Sequence, residues 1–208
     1  MRSSIFAIAL TLGLAVPATA QQTEADKPAA EPLAPRTADS GLPLTASQQA
    51  TALPHLDLRL KVDPESQTIE GVANYTIEAL STLDRFEVDL DPRFAVSSVT
   101  VDGAAAAWEA DKGLMTIPLG KTLAQGETAR VSIAWNGQPH VAKRPPWEGG
   151  FMWDTIADGR PWIATAVQMN GCDLFWPCID YPSKEIARLD SAIIVPEGLV
   201  AAGNGTSA

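Results

Sequence analysis

The stretch "HLDLRLKVDPESQTIEGVANYTIEAL", residues 55–80, decides the fold class. Leu56, Leu58, Leu60 and Val62 fall on one side of an extended chain and Asp57, Arg59 and Lys61 on the other, the period of two that marks a half-buried strand. Residues 63–67, "DPESQ", predict a turn, because an aspartate accepts local backbone N–H groups and a proline fixes φ. The period then resumes, with Ile69, Gly71, Ala73, Tyr75, Ile77 and Ala79 on one face and Glu70, Asn74, Thr76 and Glu78 on the other. Two antiparallel strands joined by a short turn follow from this.

The same alternation runs outward from that hairpin. It appears in "FEVDL" (86–90), in "SSVTVDG" (97–103) with its Asp102-Gly103 turn signal, and in "GLMTIPL" (113–119). "TARVSIAW" (128–135) places Ala129, Val131, Ile133 and Trp135 in register. "GGFMWDTIADGRPWIATAVQ" (149–168) reads as a hairpin turning at Asp158-Gly159, and "RLDSAIIVP" (188–196) as a further strand. No amphipathic helix period appears in this region. Many short strands with closely spaced turns predict an all-β fold, an antiparallel double sheet in a saddle-shaped β-sandwich. Residues 137–150, "GQPHVAKRPPWEGG", form a long loop with two consecutive prolines, and loops of that length are often functional.

Ahead of the strands, "MRSSIFAIALTLGLAVPATAQQ" carries a positive charge at Arg2, an apolar run over residues 5–16 and small residues at Ala18 and Ala20. This is the three-part pattern of a secretory signal peptide over residues 1–20. The apolar run is too short for a membrane span, which needs about 20 residues. Export to the periplasm or the exterior, with no membrane span, is the expectation. Residues 21–51 are rich in Pro, Ala, Thr and Ser without a sustained period, and predict a flexible leader with too little apolar surface to offset the entropy of ordering. The β-domain is expected over residues 52–208.

A hydrophobic share of 46% and a charged share of 19% are those of a chain able to bury a core. The formal net charge of −10 excludes nucleic acid as a partner, since phosphates would be repelled. Zinc sites need close pairs such as C-x2-C or H-x3-H. Cys172 and Cys178 are not so spaced, and His55 and His140 lie in different segments, so no metal site is expected in this chain. In an oxidising compartment the two cysteines form either a disulfide across a small loop or a pair of buried thiols. No G-x-S-x-G elbow is present. Asp180, just before Tyr181-Pro182, is read as a structural carboxylate that accepts backbone N–H groups and locks a turn. Trp147, Trp153, Trp162 and Trp176 cluster in the last third, and an aromatic face of this kind suits peptides or glycans.

Residues 149–205 resemble the closing half of the N-terminal β-domain of the aminopeptidase N family of zinc metallopeptidases. The residues that carry this are Gly150-Phe151-Met152-Trp153, Gln168, the run Pro177-Cys178-Ile179-Asp180-Tyr181-Pro182-Ser183-Lys184, and Asn204-Gly205. The run from His55 is similar to the family's opening strands, so the resemblance covers about residues 53–205. It implies that Pro177, Cys178, Asp180 and Pro182 form a structural turn. That turn would hold the strand bearing Gln168 beside the active site, where Gln168 helps bind the free α-amino group of a peptide. An amide oxygen can accept a hydrogen bond from an ammonium group.

Two departures are visible. Asp173 stands where family members usually carry Arg. The zinc-binding H-E-x-x-H helix and the G-x-M-E-N loop occur nowhere in this sequence. The family's β-domain also continues with further strands, so the sandwich is expected to be incomplete at its C-terminal end. The resemblance thus implies a substrate-capping domain or fragment of an exported zinc aminopeptidase, inactive alone. No cofactor would be held by this chain, and zinc would belong to the parent enzyme. Its partners would be the missing catalytic domain and the N-terminus of a peptide substrate. The alternative is a free-standing exported β-sandwich that binds peptides or glycans.

Overall fold

The first strand begins at Thr51, ahead of the alternation that starts at Leu56, with a register shift between Ala52 and His55. β1 (Thr51–Asp63) and β2 (Thr68–Ala79) pair antiparallel through the 63–67 turn, where Asp63 Oδ1 accepts the N–H of Glu65 at 2.9 Å. The computed structural model describes residues 32–206. The signal peptide expected over 1–20 and the first part of the expected leader, 21–31, lie outside the described residues. Among those described, no helix is long and apolar enough to cross a membrane.

The remaining strands follow in chain order. They are β3 (Leu83–Asp89), β4 (Ala95–Val101), β5 (Ala104–Ala105), β6 (Glu109–Asp111), β7 (Leu114–Leu123), β8 (Thr128–Gly137), β9 (Gly150–Thr155), β10 (Pro161–Ala166) and β11 (Leu189–Ile194). They form a six-stranded sheet in the order β11-β1-β2-β8-β4-β5, a three-stranded sheet β3-β7-β6, and the β9–β10 hairpin. The two larger sheets share one core. Leu56, Leu58, Ile69, Ala73, Tyr75, Ile77, Val131 and Ile133 from the first meet Phe86, Val88, Met115, Ile117 and Leu123 from the second. Tyr75 of β2 and Phe86 of β3 bring their ring centroids within 5.3 Å across the interface. The fold is an all-β sandwich, as the period of two requires.

The expected fold takes one refinement, and one expectation about the leader needs correction. The sheet is not antiparallel throughout: β11 pairs parallel with β1, Leu56 opposite Leu189 and Leu60 opposite Ile193. A parallel partner needs a long connection, and the chain supplies one, since residues 64–188 with all the other strands lie between β1 and β11.

The leader expected over 21–51 is, in its described part, built structure. From Leu33 onward the chain belongs to the same compact unit as the strands. It forms α1 (Pro35–Ala38) and α2 (Ala46–Ala50), and Thr37, Gln48 and Thr51 are buried. α1 starts with a proline, whose fixed φ suits the first helical turn. α2 carries a reciprocal capping box between Thr45 and Gln48. What offsets the ordering entropy is polar pairing with the sheets. Gln48 Nε2 donates to Asp89 Oδ2 at 3.0 Å, Thr45 Oγ1 to Glu87 Oε2 at 2.5 Å and Ser47 Oγ to the Arg85 carbonyl at 2.8 Å. A reading that counts apolar residues does not see this, and helices of four and five residues are too short to display a period.

Candidate functional site

The β9–β10 hairpin runs out at Ala166 into a tight turn. Gly171 N donates to the Val167 carbonyl at 2.9 Å, and Met169 sits at φ +73°, a left-handed conformation that a side chain resists. Gln168 is exposed on this turn. Its neighbours fasten the turn from three sides. Asn170 accepts the Gly149 N–H at 2.8 Å and donates to the Ala38 carbonyl at 2.9 Å, so one buried carboxamide ties the turn to the proline-rich loop and to the N-terminal segment. Ser40 N donates to the Met169 carbonyl at 2.8 Å.

The loop over 137–150 returns along the hairpin. Phe151 N donates to the His140 carbonyl at 2.7 Å, and Ala142 N to the Phe151 carbonyl at 2.9 Å. Phe151 stacks on Trp153 and meets Phe175 edge-on, with centroids 5.3 and 5.1 Å away. Burial, with the Arg93 charge acting the same way, lowers the His140 imidazole below its ordinary range.

Beyond the turn, Cys172 and Cys178 are joined in a disulfide, which resolves the alternative left open by their spacing. The loop they close is bolted to the sandwich by its carbonyls. Trp135 Nε1 donates to the Phe175 carbonyl at 3.1 Å, the Tyr75 hydroxyl donates to the Pro177 carbonyl, and Asp89 N donates to the Cys178 carbonyl at 2.6 Å. Asp91 N donates to the Asp173 carbonyl at 3.0 Å. Pro177 and Cys178 are buried, Asp180 is half-buried and Pro182 is exposed beside Gly41. The Asp180 carboxylate accepts from Ser40 Oγ at 3.2 Å and from Cys172 N at 3.4 Å. It therefore ties the disulfide loop to the N-terminal segment, rather than only capping its own turn. Lys184 extends this tie, its Nζ donating to the carbonyls of Gln49 at 3.1 Å and Thr51 at 2.9 Å.

Asp173 is the residue whose role the sequence reading missed. Its side chain is 0% exposed, and neither carboxyl oxygen has a hydrogen-bond partner among the described residues. Thr37, equally buried, faces it without reaching hydrogen-bond geometry, and Asp180 Oδ2 is also buried and unpartnered. Burial pushes the Asp173 carboxyl up to about 8, and the charges of Asp180, Asp89 and Asp91 push the same way. Burial also raises the Asp180 carboxyl. A second feature, a cleft of about 250 Å³, lies between the 63–67 turn and the hairpin, lined by Pro64, Gln67, Trp153, Asp154, Pro161 and Ile163 among others.

No sequence-family profile and no curated protein matches the chain. Solved structures do. A mutant of the M1 zinc metallopeptidase of Deinococcus radiodurans, bound to a Tyr-Ser-Ala substrate, superposes with a TM-score of 0.55 and 26% identity, over 76% of this chain and 34% of that one. A two-domain M1 zinc metallopeptidase bound to L-tryptophan gives 0.55 and 26%, over 76% and 35%. Native leukotriene A4 hydrolase of Saccharomyces cerevisiae gives 0.55 at 18% identity, over 71% and 24%, a likeness of fold alone. At the level of fold, the chain is linked to the M1 zinc metallopeptidases. It spans about a third of the length of the first of these M1 neighbours, 34%.

The M1 neighbours are zinc enzymes by name, and the residues described here do not fit that ion. No group of three or more His, Cys, Asp or Glu is placed to hold a metal among the described residues. Both cysteines are spent in the disulfide, and His55 Nε2 lies 2.9 Å from Asp190 at the sheet edge, far along the chain from His140. Zinc is thus implied for a parent enzyme and not for these side chains.

Proposed function

We propose that the chain is the substrate-capping N-terminal β-domain of an exported zinc metallo-aminopeptidase, and that Gln168 meets the free α-amino group of a peptide. The observation that carries the reading is the rigid turn at the end of β10. It presents an exposed carboxamide while its backbone is held by Asn170, Ser40 and the disulfide loop, and the fold around it is that of the M1 enzymes. A carboxamide on a backbone so held accepts a hydrogen bond from an ammonium group with little further loss of backbone freedom. The catalytic chemistry would come from a zinc-bearing domain outside this sequence, which has no H-E-x-x-H segment. This chain on its own would therefore leave peptides intact.

The test is to assay aminoacyl anilide hydrolysis, with zinc supplied, by this chain alone and by any longer reading frame that joins it to an H-E-x-x-H domain. Activity only in the joined protein, with KM raised in Gln168→Ala and kcat less affected, is the expected result. Hydrolysis by the isolated chain would sink the reading. A second reading, an exported peptide- or glycan-binding sandwich, is favoured by the Trp153 cleft and by Trp147 and Trp162, which are 68% and 49% exposed. Under it, substituting Trp147 or Trp153 weakens ligand binding by the chain alone.

A further inference from the structure

Residues 33–41 lie as a strap over the disulfide loop. Arg36 pairs with Asp89, and its N–H donates to the Lys112 carbonyl at 3.4 Å. Ser40 and Gly41 donate to the backbone carbonyls of Met169 and Asp180 at 2.8 and 3.2 Å, and Ser40 Oγ reaches the Asp180 carboxylate. Thr37 points inward and is fully buried. Beneath it sits Asp173, fully buried, with both carboxyl oxygens unpartnered and three acids among its neighbours. The strap contributes the neutral Thr37, the loop contributes Asp180, and β3 with its exit contributes Asp89 and Asp91. The two nearby cations are committed elsewhere, Arg36 to Asp89 and Arg93 to Asp91 at 2.9 Å. A carboxylate in such a place has no counter-ion and only the Thr37 hydroxyl, outside hydrogen-bond geometry, to set against burial, whereas a neutral acid there has no charge to bury.

We propose that Asp173 is the pin of a proton-dependent latch, whose neutral form keeps the 33–41 strap closed over the Cys172–Cys178 loop and whose ionisation favours the open strap. In the open form Asp173 is hydrated and ionises near its ordinary range, so the open state holds fewer protons than the closed one. Raising the pH therefore favours opening, from about the ordinary value of 3.8 up to about 8, and not beyond. Opening also removes the Ser40 and Ala38 contacts that steady the turn bearing Gln168. The latch concerns this chain alone and stands whether or not Gln168 meets a substrate.

Hydrogen exchange on the full chain, corrected for the pH dependence of intrinsic exchange, reads the opening directly. Protection of the Ser40 and Gly41 amides is expected to fall with rising pH, by up to tenfold per unit between about pH 4 and 8, and then to level off. Core amides such as those of Tyr75 and Val131 should stay more protected than the strap throughout. In Asp173→Asn the strap protection should depend much less on pH, the remaining slope being that of Asp180, whose carboxyl Ser40 contacts. A flat profile in the unmodified chain, the same slope in Asp173→Asn, or strap amides as well protected as the core at every pH would each overturn the latch. Should the variant not fold, the carbonyl stretch of a protonated carboxyl in the unmodified chain decides instead. Loss of that band together with loss of strap protection supports the latch, and its absence at about pH 6 overturns it.

Discussion

The indole of Trp135 occupies the space that a side chain at position 71 would need. A β-carbon on Gly71 would lie 2.3 Å from Trp135 Cζ2 and 2.5 Å from Cη2, and the two residues are register partners on β2 and β8. The vacancy at Gly71 is thus part of how the sandwich holds the disulfide loop, because the seated indole donates to the Phe175 carbonyl.

Gly71→Ala should therefore destabilise the fold by about 1–3 kcal/mol, the ordinary cost of overpacking. Trp135 is fully buried and has nowhere to retreat. Urea unfolding followed by tryptophan fluorescence measures this, and a loss below about 0.5 kcal/mol would mean that the indole moves freely.

Gly171 is a second obligatory glycine. It sits at φ +94°, ψ −172°, a region open almost only to glycine, and an added β-carbon would lie 2.1 Å from Asp180 Oδ2. Gly171→Ala should cost about 1–3 kcal/mol from the backbone alone, with the clash adding to it. The clash is separable by a double-mutant cycle. Gly171→Ala should cost clearly less in an Asp180→Ala background, and strict additivity would contradict the contact.

The strands were legible because each inward face is continuous: Ile69 through Ala79 on β2 and Ala129 through Trp135 on β8 alternate without a break, and all of these inward residues are buried. The strap was not legible, since it is held by side-chain hydrogen bonds to residues more than 100 positions away, such as Ser40 to Asp180 and Asn170 to Ala38. One local sign was present in Thr45-x-x-Gln48, a capping box that announces a helix start even where no apolar period follows. The turn at Gln168 was placed through a family resemblance, and the buried Asp173 showed in the sequence only as an acid at an unusual position. Composition cannot tell a buried carboxyl from a solvated one.

Reducing the Cys172–Cys178 disulfide should cost about 2 kcal/mol, because the loop it closes is short and little chain entropy is recovered in the unfolded state. The carbonyl bolts from Tyr75, Trp135 and Asp89 remain, so the reduced chain should still fold. Comparing urea midpoints with and without reductant checks the first statement, and circular dichroism of the reduced chain the second. Collapse of the fold on reduction would mean that the bolts are secondary to the covalent link.

Lys184→Met should loosen the N-terminal segment selectively. The ammonium group donates to the carbonyls of Gln49 and Thr51 at the end of α2, where a cation also suits the helix C-terminus. Burial lowers the Lys184 pKa, which marks a side chain partly withdrawn from water. A loss of about 1 kcal/mol is expected, with limited proteolysis cutting first within residues 33–50. Cleavage that begins in the 137–150 loop at an unchanged rate would place the weak point elsewhere.

Global stability should peak on the acid side of neutrality. Asp63, Asp84, Asp102, Asp158 and Asp190 are held below their ordinary value, chiefly by side-chain hydrogen bonds. What they contribute is present above about pH 4 and lost as pH falls through their lowered values. Asp173 acts with the opposite sign. Its folded form binds a proton up to about 8 while the unfolded chain releases it near 3.8, so stability declines as pH rises across that window and is flat above it. Asp180 is shifted in the same direction by burial. His140, lowered by burial, opposes them, since its neutral folded form loses stability only as pH falls below 6.5. Urea midpoints taken from about pH 4 to 9 should therefore decline toward pH 8 in the unmodified chain. They should decline much less in Asp173→Asn, so that the stability difference between the two moves steadily in the variant's favour as pH rises. Parallel profiles for the two proteins would show that the buried carboxyl of Asp173 is not the group that titrates.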